Sequence, residues 1–161
     1  MKQLNIALVA HDARKREFVE WAEANISQLK PHRMYATGTT GRLIAEITTA
    51  DGKHPFADRV VRLLSGPLGG DQQIGAMIAE GRIDMLIFFC DNLVMQGHQN
   101  DVSALTRLAS LYNIAFATNR TTADLILSSS KLVSGYEVQV PQCVADYAQR
   151  DLNLTHHSEP V

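Results

Sequence analysis

Five short apolar runs, separated by stretches with helical periodicity, constrain this chain more than any other feature. Asn5 to Ala10, Arg33 to Ala36, Val60 to Leu64, Met85 to Phe89 and Ile114 to Ala117 read as strands. Between them Phe18, Trp21, Ala22, Ile26 and Leu29 recur at helical spacing, as do Ile74, Met77 and Ile78, and then Leu105, Leu108, Ala109 and Tyr112. Strands that are almost purely apolar are those buried on both faces. Their alternation with helices predicts βαβ units and a parallel sheet covered on both sides, an α/β fold. Thr121 and Asp124 have capping-box spacing for a further helix over Thr122 to Leu127.

Composition sets the outer limits. A length of 161 residues fits one domain with a substantial core, read here as residues 1–151 followed by a polar tail, 152–161. Hydrophobic content of 45% and charged content of 20% are those of a globular protein, and a net charge of −2 gives no general drive toward nucleic acid or an anionic membrane. Cys90 and Cys143 are isolated, so neither a zinc knuckle nor a disulfide framework is indicated and reduced thiols in a cytoplasm fit. The apolar run Ile6 to Ala10 is too short for a signal peptide or a membrane span. His156 and His157 stand in the tail with no third ligand at suitable spacing and read as solvated. Asp51 to Arg59, with glycine, proline and several charges, reads as an exposed loop before the third strand.

In an open α/β sheet the ligand sits outside the carboxyl ends of the strands. That rule gathers His11, Asp12 and Lys15 after strand one, Thr37, Gly38, Thr39 and Thr40 after strand two, Ser65, Gly66 and Asp71 after strand three, and Asp91, His98 and Asp101 after strand four. Thr37 to Gly41 enters a helix carrying Leu43, Ile44 and Ile47, so hydroxyls and a helix N-terminus form a phosphate cradle or, more plainly, a threonine-rich cap. No GxxxxGK[ST] is present and nothing fits GxGxxG after strand one, which disfavours those forms of nucleotide binding.

The segment Ser65-Gly66-Pro67-Leu68-Gly69-Gly70-Asp71-Gln72-Gln73 places a hydroxyl, glycines and a carboxylate between a strand and a helix. Asp71 is there either a base beside a bound anion or a helix cap. Asp101 reads more simply as an N-cap. His98 and Asp101, three apart, lack a clustered third ligand, so no metal site is expected. Arg14, Lys15 and Arg16 crowd the first turn of the first helix, where cations oppose the dipole, and either a nearby anion or the partners Glu17 and Glu20 would offset that.

Ile6-Ala7-Leu8-Val9-Ala10-His11-Asp12, Ala36-Thr37-Gly38-Thr39-Thr40-Gly41, Leu64 to Gln73, Ile83 to Phe89, Ala117-Thr118-Asn119 and Thr121-Thr122-Ala123-Asp124 resemble, in order, the methylglyoxal synthase family. The resemblance runs from Ile6 to Tyr147. It implies a three-layer α/β/α domain with a five-stranded parallel sheet of order 3-2-1-4-5, assembled as a homohexamer. It also implies conversion of dihydroxyacetone phosphate to methylglyoxal and inorganic phosphate without metal or organic cofactor, with phosphate as product and candidate inhibitor. Carried over by motif, the catalytic residues are Asp71, His98 and Asp101, the substrate contacts are His11, Lys15, Thr37, Gly38, Thr39, Thr40, Ser65, Gly66 and His98, and Asp91 supports them. Cys90 and Asn92, flanking Asp91, and the loop Val94 to Asn100 depart from the family's usual aromatic and proline pattern. The alternative is a non-catalytic phosphate-ligand-binding regulatory domain of the same fold; a sugar-phosphate isomerase lacks a matching motif set.

Overall fold

The computed structural model describes residues 2–94 and 99–150. His98, with the rest of 95–98, and the tail bearing His156 and His157 lie outside the described residues. The chain runs β1 (Asn5–Ala10), α1 (Lys15–Ala24), α2 (Ile26–Leu29), β2 (Arg33–Thr37), α3 (Gly38–Ala45), β3 (Val60–Leu63), α4 (Gly70–Ala79), β4 (Met85–Phe89), α5 (Gln99–Leu111), β5 (Ala115–Ala117), α6 (Arg120–Leu127), α7 (Ser130–Ser134) and α8 (Gln142–Gln149). The five strands form one sheet of order β3-β2-β1-β4-β5, and every adjacent pair is parallel. Leu8, at the centre, stands opposite Ala36 of β2 and Ile87 of β4.

The apolar strands split their side chains between two cores. Ile6, Leu8, Met34, Ile87 and Phe89 pack on one face with Phe18 and Trp21 of α1, Ile44 of α3 and Leu127 of α6. Ala7, Val9, Leu86 and Phe88 pack on the other with Ile74 and Ile78 of α4 and Val102 and Leu105 of α5. Period-two alternation with both faces buried makes the three layers, and each large side chain removed from water contributes about 1.5–3 kcal/mol. Phe18, Trp21 and Phe89 stack at centroid separations of 4.8–5.5 Å, and the Trp21 indole donates to Asp124 Oδ1 at 2.8 Å, fastening α1 to α6.

Four local expectations change. The helix from Phe18 to Leu29 is two helices, interrupted at Asn25, whose side-chain amide donates to the Trp21 carbonyl. The last βα turn is capped by Asn119, which accepts from Thr122 N–H at 2.9 Å; Thr121 lies inside α6 and Asp124 serves Trp21. The loop Asp51 to Arg59 is mostly exposed, with Pro55 and Arg59 half-buried, but Phe56 is fully buried in the core and anchors it. Asp71 is not a cap either: α4 starts at Gly70 behind Gly69, with no side-chain cap bond.

Candidate functional site

The strand order reverses between β1 and β4, and there the carboxyl ends open into a cleft of about 620 Å³. It is lined by His11, Asp12 and Lys15 after β1, by Thr37, Thr39 and Thr40 at the start of α3, by Ser65, Gly66 and Pro67 after β3, and by Asp71 and Asp101 in the first turns of α4 and α5. Four strand ends thus reach one volume. Asp71 and Asp101 also line a narrower groove of about 190 Å³ between α4 and α5. Asp101 sits in the first turn of α5 rather than plainly ahead of it.

The turn after β3 is shaped by its glycines. Gly66–Leu68 form a 3-10 turn with Pro67 in its first positions, and Gly69 follows at φ +103°, a conformation that favours glycine. Gly70 passes so close to β3 that a Cβ would lie 2.9 Å from the Leu64 carbonyl carbon. The turn is tied by Gly70 N–H to the Ser65 carbonyl at 2.9 Å and by Leu64 N–H to Gln73 Oε1, also at 2.9 Å. The outcome is an Asp71 that is 2% exposed on the cleft wall with Ser65 and Gly66 beside it.

At α3 the Thr37 side chain makes no cap bond, while the Gly38 N–H donates to the Leu64 carbonyl at 3.1 Å. The first turn of a helix presents N–H groups that lack intrahelical acceptors, and the positive end of its dipole favours an anion. Thr40 Oγ1 is buried in this wall and has no hydrogen-bond partner among the described residues. Gly38 is placed behind the lining: a Cβ there would lie 2.8 Å from Ser65 Oγ, so its smallness lets the turn after β3 press against α3.

His11 is 5% exposed, and its Nδ1 accepts the Asp91 N–H at 2.8 Å. A neutral ring held this way carries its proton on Nε2 and is a donor there. Asp91 is buried but does not line the cleft; its carboxylate accepts from Leu93 N–H at 3.0 Å and shapes its own loop. Lys15 is the only Lys or Arg among the described lining residues and pairs with Asp12. The other two cations of that turn are paired as well, Arg14 with Glu17 and Arg16 with Glu20, so local carboxylates offset the dipole. Burial pushes the Cys90 thiol up to about 11 despite Arg14 nearby, so it is protonated at neutral pH and is no nucleophile. Among the described residues no three His, Cys, Asp or Glu side chains are grouped to hold a metal ion, and no helix is long and apolar enough to cross a membrane. The strand-end rule gathered Asp12 but the family resemblance gave it no role, and sequence reasoning assigned none to Pro67. The Asp12–Lys15 spacing of three was the available signal for the first, and nothing local marked the second.

The family model described as MGS-like domain matches residues 17–118. A methylglyoxal synthase of Leptospira interrogans is 50% identical over 132 residues, covering 82% of this chain and 84% of the relative. The chain belongs to the methylglyoxal synthase family. A methylglyoxal synthase of Proteus mirabilis is 49% identical over 137 residues, covering 85% of each chain. The crystal structure of methylglyoxal synthase from Elizabethkingia anophelis NUHP1 superposes with a TM-score of 0.79 at 41% identity, over 93% of both chains. The three-layer methylglyoxal synthase fold, with its sheet order, is therefore shared over nearly all of the chain.

Proposed function

We propose that this chain is a carbon–oxygen lyase that converts dihydroxyacetone phosphate to methylglyoxal and inorganic phosphate. The observation that carries the reading is the convergence, in one cleft, of a buried carboxylate on α4 with the anion-binding groups of α3 and the β3 turn, in a chain whose relatives bear that name.

In this reading the Asp71 carboxylate takes a proton from the hydroxymethyl carbon alpha to the ketone, and the electron pair of that C–H bond forms an enediolate. His11 through Nε2–H and His98 donate to the oxygens that gain charge, and Asp101 supplies further electrostatic and proton-transfer support. The enediolate then expels phosphate: the electron pair moves into a new carbon–carbon double bond while the C–O bond to phosphate breaks. The resulting enol aldehyde tautomerises to methylglyoxal, so the proton removed at the start is balanced by one returned to carbon. Lys15, Thr37, Thr39, Thr40, Ser65 and the Gly66 N–H hold the phosphate as its charge grows, Gly38 keeps their two walls together, and Asp91 holds His11. Elimination needs the C–O bond perpendicular to the enediolate plane, so the cradle's control of that torsion separates this outcome from isomerisation.

No metal or organic cofactor enters this scheme. Phosphate, leaving into the site that held it as an ester, is product and inhibitor. A carboxylate facing the cradle is a liability for a simple phosphate binder, because like charges repel, and this weighs against the regulatory-domain alternative. The free thiols Cys90 and Cys143 suit a cytoplasmic enzyme. Leu125, Tyr136, Val140 and Tyr147 are more than half exposed, apolar surface that suits a homohexamer. Light scattering then gives six times the 17.8 kDa chain mass, and a monomer mass overturns the assembly.

The function is tested by incubating the purified chain with dihydroxyacetone phosphate while following both products. Equimolar methylglyoxal and phosphate, well above the uncatalysed rate, are expected. No release from folded protein refutes the reading.

A further inference from the structure

One peptide unit beside the cleft is gripped at both ends by the loop that follows β1. Arg14 Nη1 donates to the Cys90 carbonyl at 2.9 Å, and the Asp91 N–H, the other end of the same peptide, donates to His11 Nδ1 at 2.8 Å. The two gripping residues are one 3-10 turn apart, with Arg14 N–H bonded to the His11 carbonyl at 2.9 Å. Glu17 aims the guanidinium, accepting from Nε at 2.7 Å and lying 2.6 Å from Nη2, and the Phe89 ring lies beside it, 5.9 Å from the guanidinium carbon to the centroid. Cys90 N–H is bonded in turn to the Thr118 carbonyl at 3.2 Å, so the peptide chain at this point is held from both sides.

Amide groups are polarisable, and hydrogen bonds in series strengthen one another. A cation at the carbonyl draws electron density toward that oxygen and leaves the amide N–H a stronger donor. A stronger donor at Nδ1 keeps the imidazole proton on Nε2, the nitrogen that the proposed mechanism uses. We propose that Arg14 is a positioning residue that acts through the Cys90–Asp91 peptide to fix His11 as an Nε2–H donor toward the substrate. The inference deepens the lyase reading and rests on it for the role of His11. It also gives a reason for a cation at the unfavourable end of α1, where Glu17 offsets the dipole and the Cys90 carbonyl uses the charge.

The test combines nitrogen-15 NMR of the histidine rings and the Asp91 amide with steady-state kinetics on the full chain. In the native protein the two His11 ring nitrogens are expected at well-separated positions, as in one fixed tautomer. In Arg14→Gln and Arg14→Met they converge, the Asp91 amide proton moves upfield, and kcat falls about tenfold while KM changes by less than about twofold. Two neutral variants are made so that misfolding of one leaves the other, and Met keeps the aliphatic stem against Phe89. Arg14→Lys restores part of both the NMR signature and kcat. Arg16→Gln, which removes an exposed charge from the same turn, leaves both unchanged. Native shifts and kcat in a folded neutral variant overturn the inference. Absence of turnover by the native protein instead overturns the lyase reading, and the NMR comparison separates the two failures.

Discussion

Asp71 shows how much one residue in this chain depends on its placement. A carboxylate buried to 2% exposure is unfavourable unless its charge is compensated, and the first turn of α4 supplies the positive end of a helix dipole. Its two oxygens need lone pairs to accept a proton from carbon, whereas an amide of the same shape has almost no basicity. Asp71→Asn is therefore expected to lower kcat by about 10²–10⁴-fold, the span that a positioned general base contributes, while inorganic phosphate still binds in calorimetric titration. Unchanged turnover would refute the assignment. The converse lesson comes from Cys90, where a reactive side chain near the site is made inert because burial holds the thiol protonated.

At the scale of elements, the turn between β3 and α4 joins the cradle to the base, and its tolerance for added atoms is small. A Cβ at Gly70 would run into the Leu64 carbonyl, a backbone group that cannot swing aside as a side chain would. Gly70→Ala is expected to destabilise the fold by about 2 kcal/mol, a figure in the range for overpacking. A thermal midpoint lower by roughly 4–8 °C checks this for a domain of this size, and kcat falls as well because Asp71 is the next residue. A variant as stable and as active as the native chain would show that the turn relaxes freely.

The elements themselves were legible to different degrees, for physical reasons. The central strands β1 and β4 are almost entirely apolar because both faces are buried, so Met85–Phe89 and Asn5–Ala10 match the sequence reading to the residue. Helix ends were less legible because several polar residues compete for one cap: Asn119 precedes Thr121 and takes the Thr122 N–H first. The break at Asn25 comes from a side-chain bond to the Trp21 carbonyl, and the burial of Phe56 is a tertiary event inside a polar loop. Neither leaves a periodic trace. The site was legible as a set, because the strand-end rule gathers residues far apart in sequence, but the role of Arg14 was not, since its partner is a backbone carbonyl 76 positions away.

On the scale of the whole molecule, the two ends of the sheet do different work. The carboxyl ends carry the cleft, while the amino ends are tied by side chains that reach the backbone at and just before the start of β1. His32 Nδ1 accepts the Leu4 N–H at 3.2 Å, and Asp84 Oδ2 accepts the Asn5 N–H at 2.7 Å. His32 is 1% exposed, and burial lowers its pKa below the ordinary 6.5, with the Asp84 charge pulling the other way. A histidine whose folded pKa is depressed favours the neutral ring in the native state. The stability it contributes is complete above about pH 6.5, and is lost as the pH falls from there through the lowered folded value. Protonation would also destroy the acceptor that holds Leu4, because both ring nitrogens of an imidazolium are donors. The urea midpoint of the native chain is therefore expected to fall between pH 7 and pH 5. His32→Gln, which keeps an acceptor but cannot take up a proton, starts from a lower midpoint and loses less of it over the same interval. Parallel pH slopes for the two proteins would mean that acid attacks the fold elsewhere.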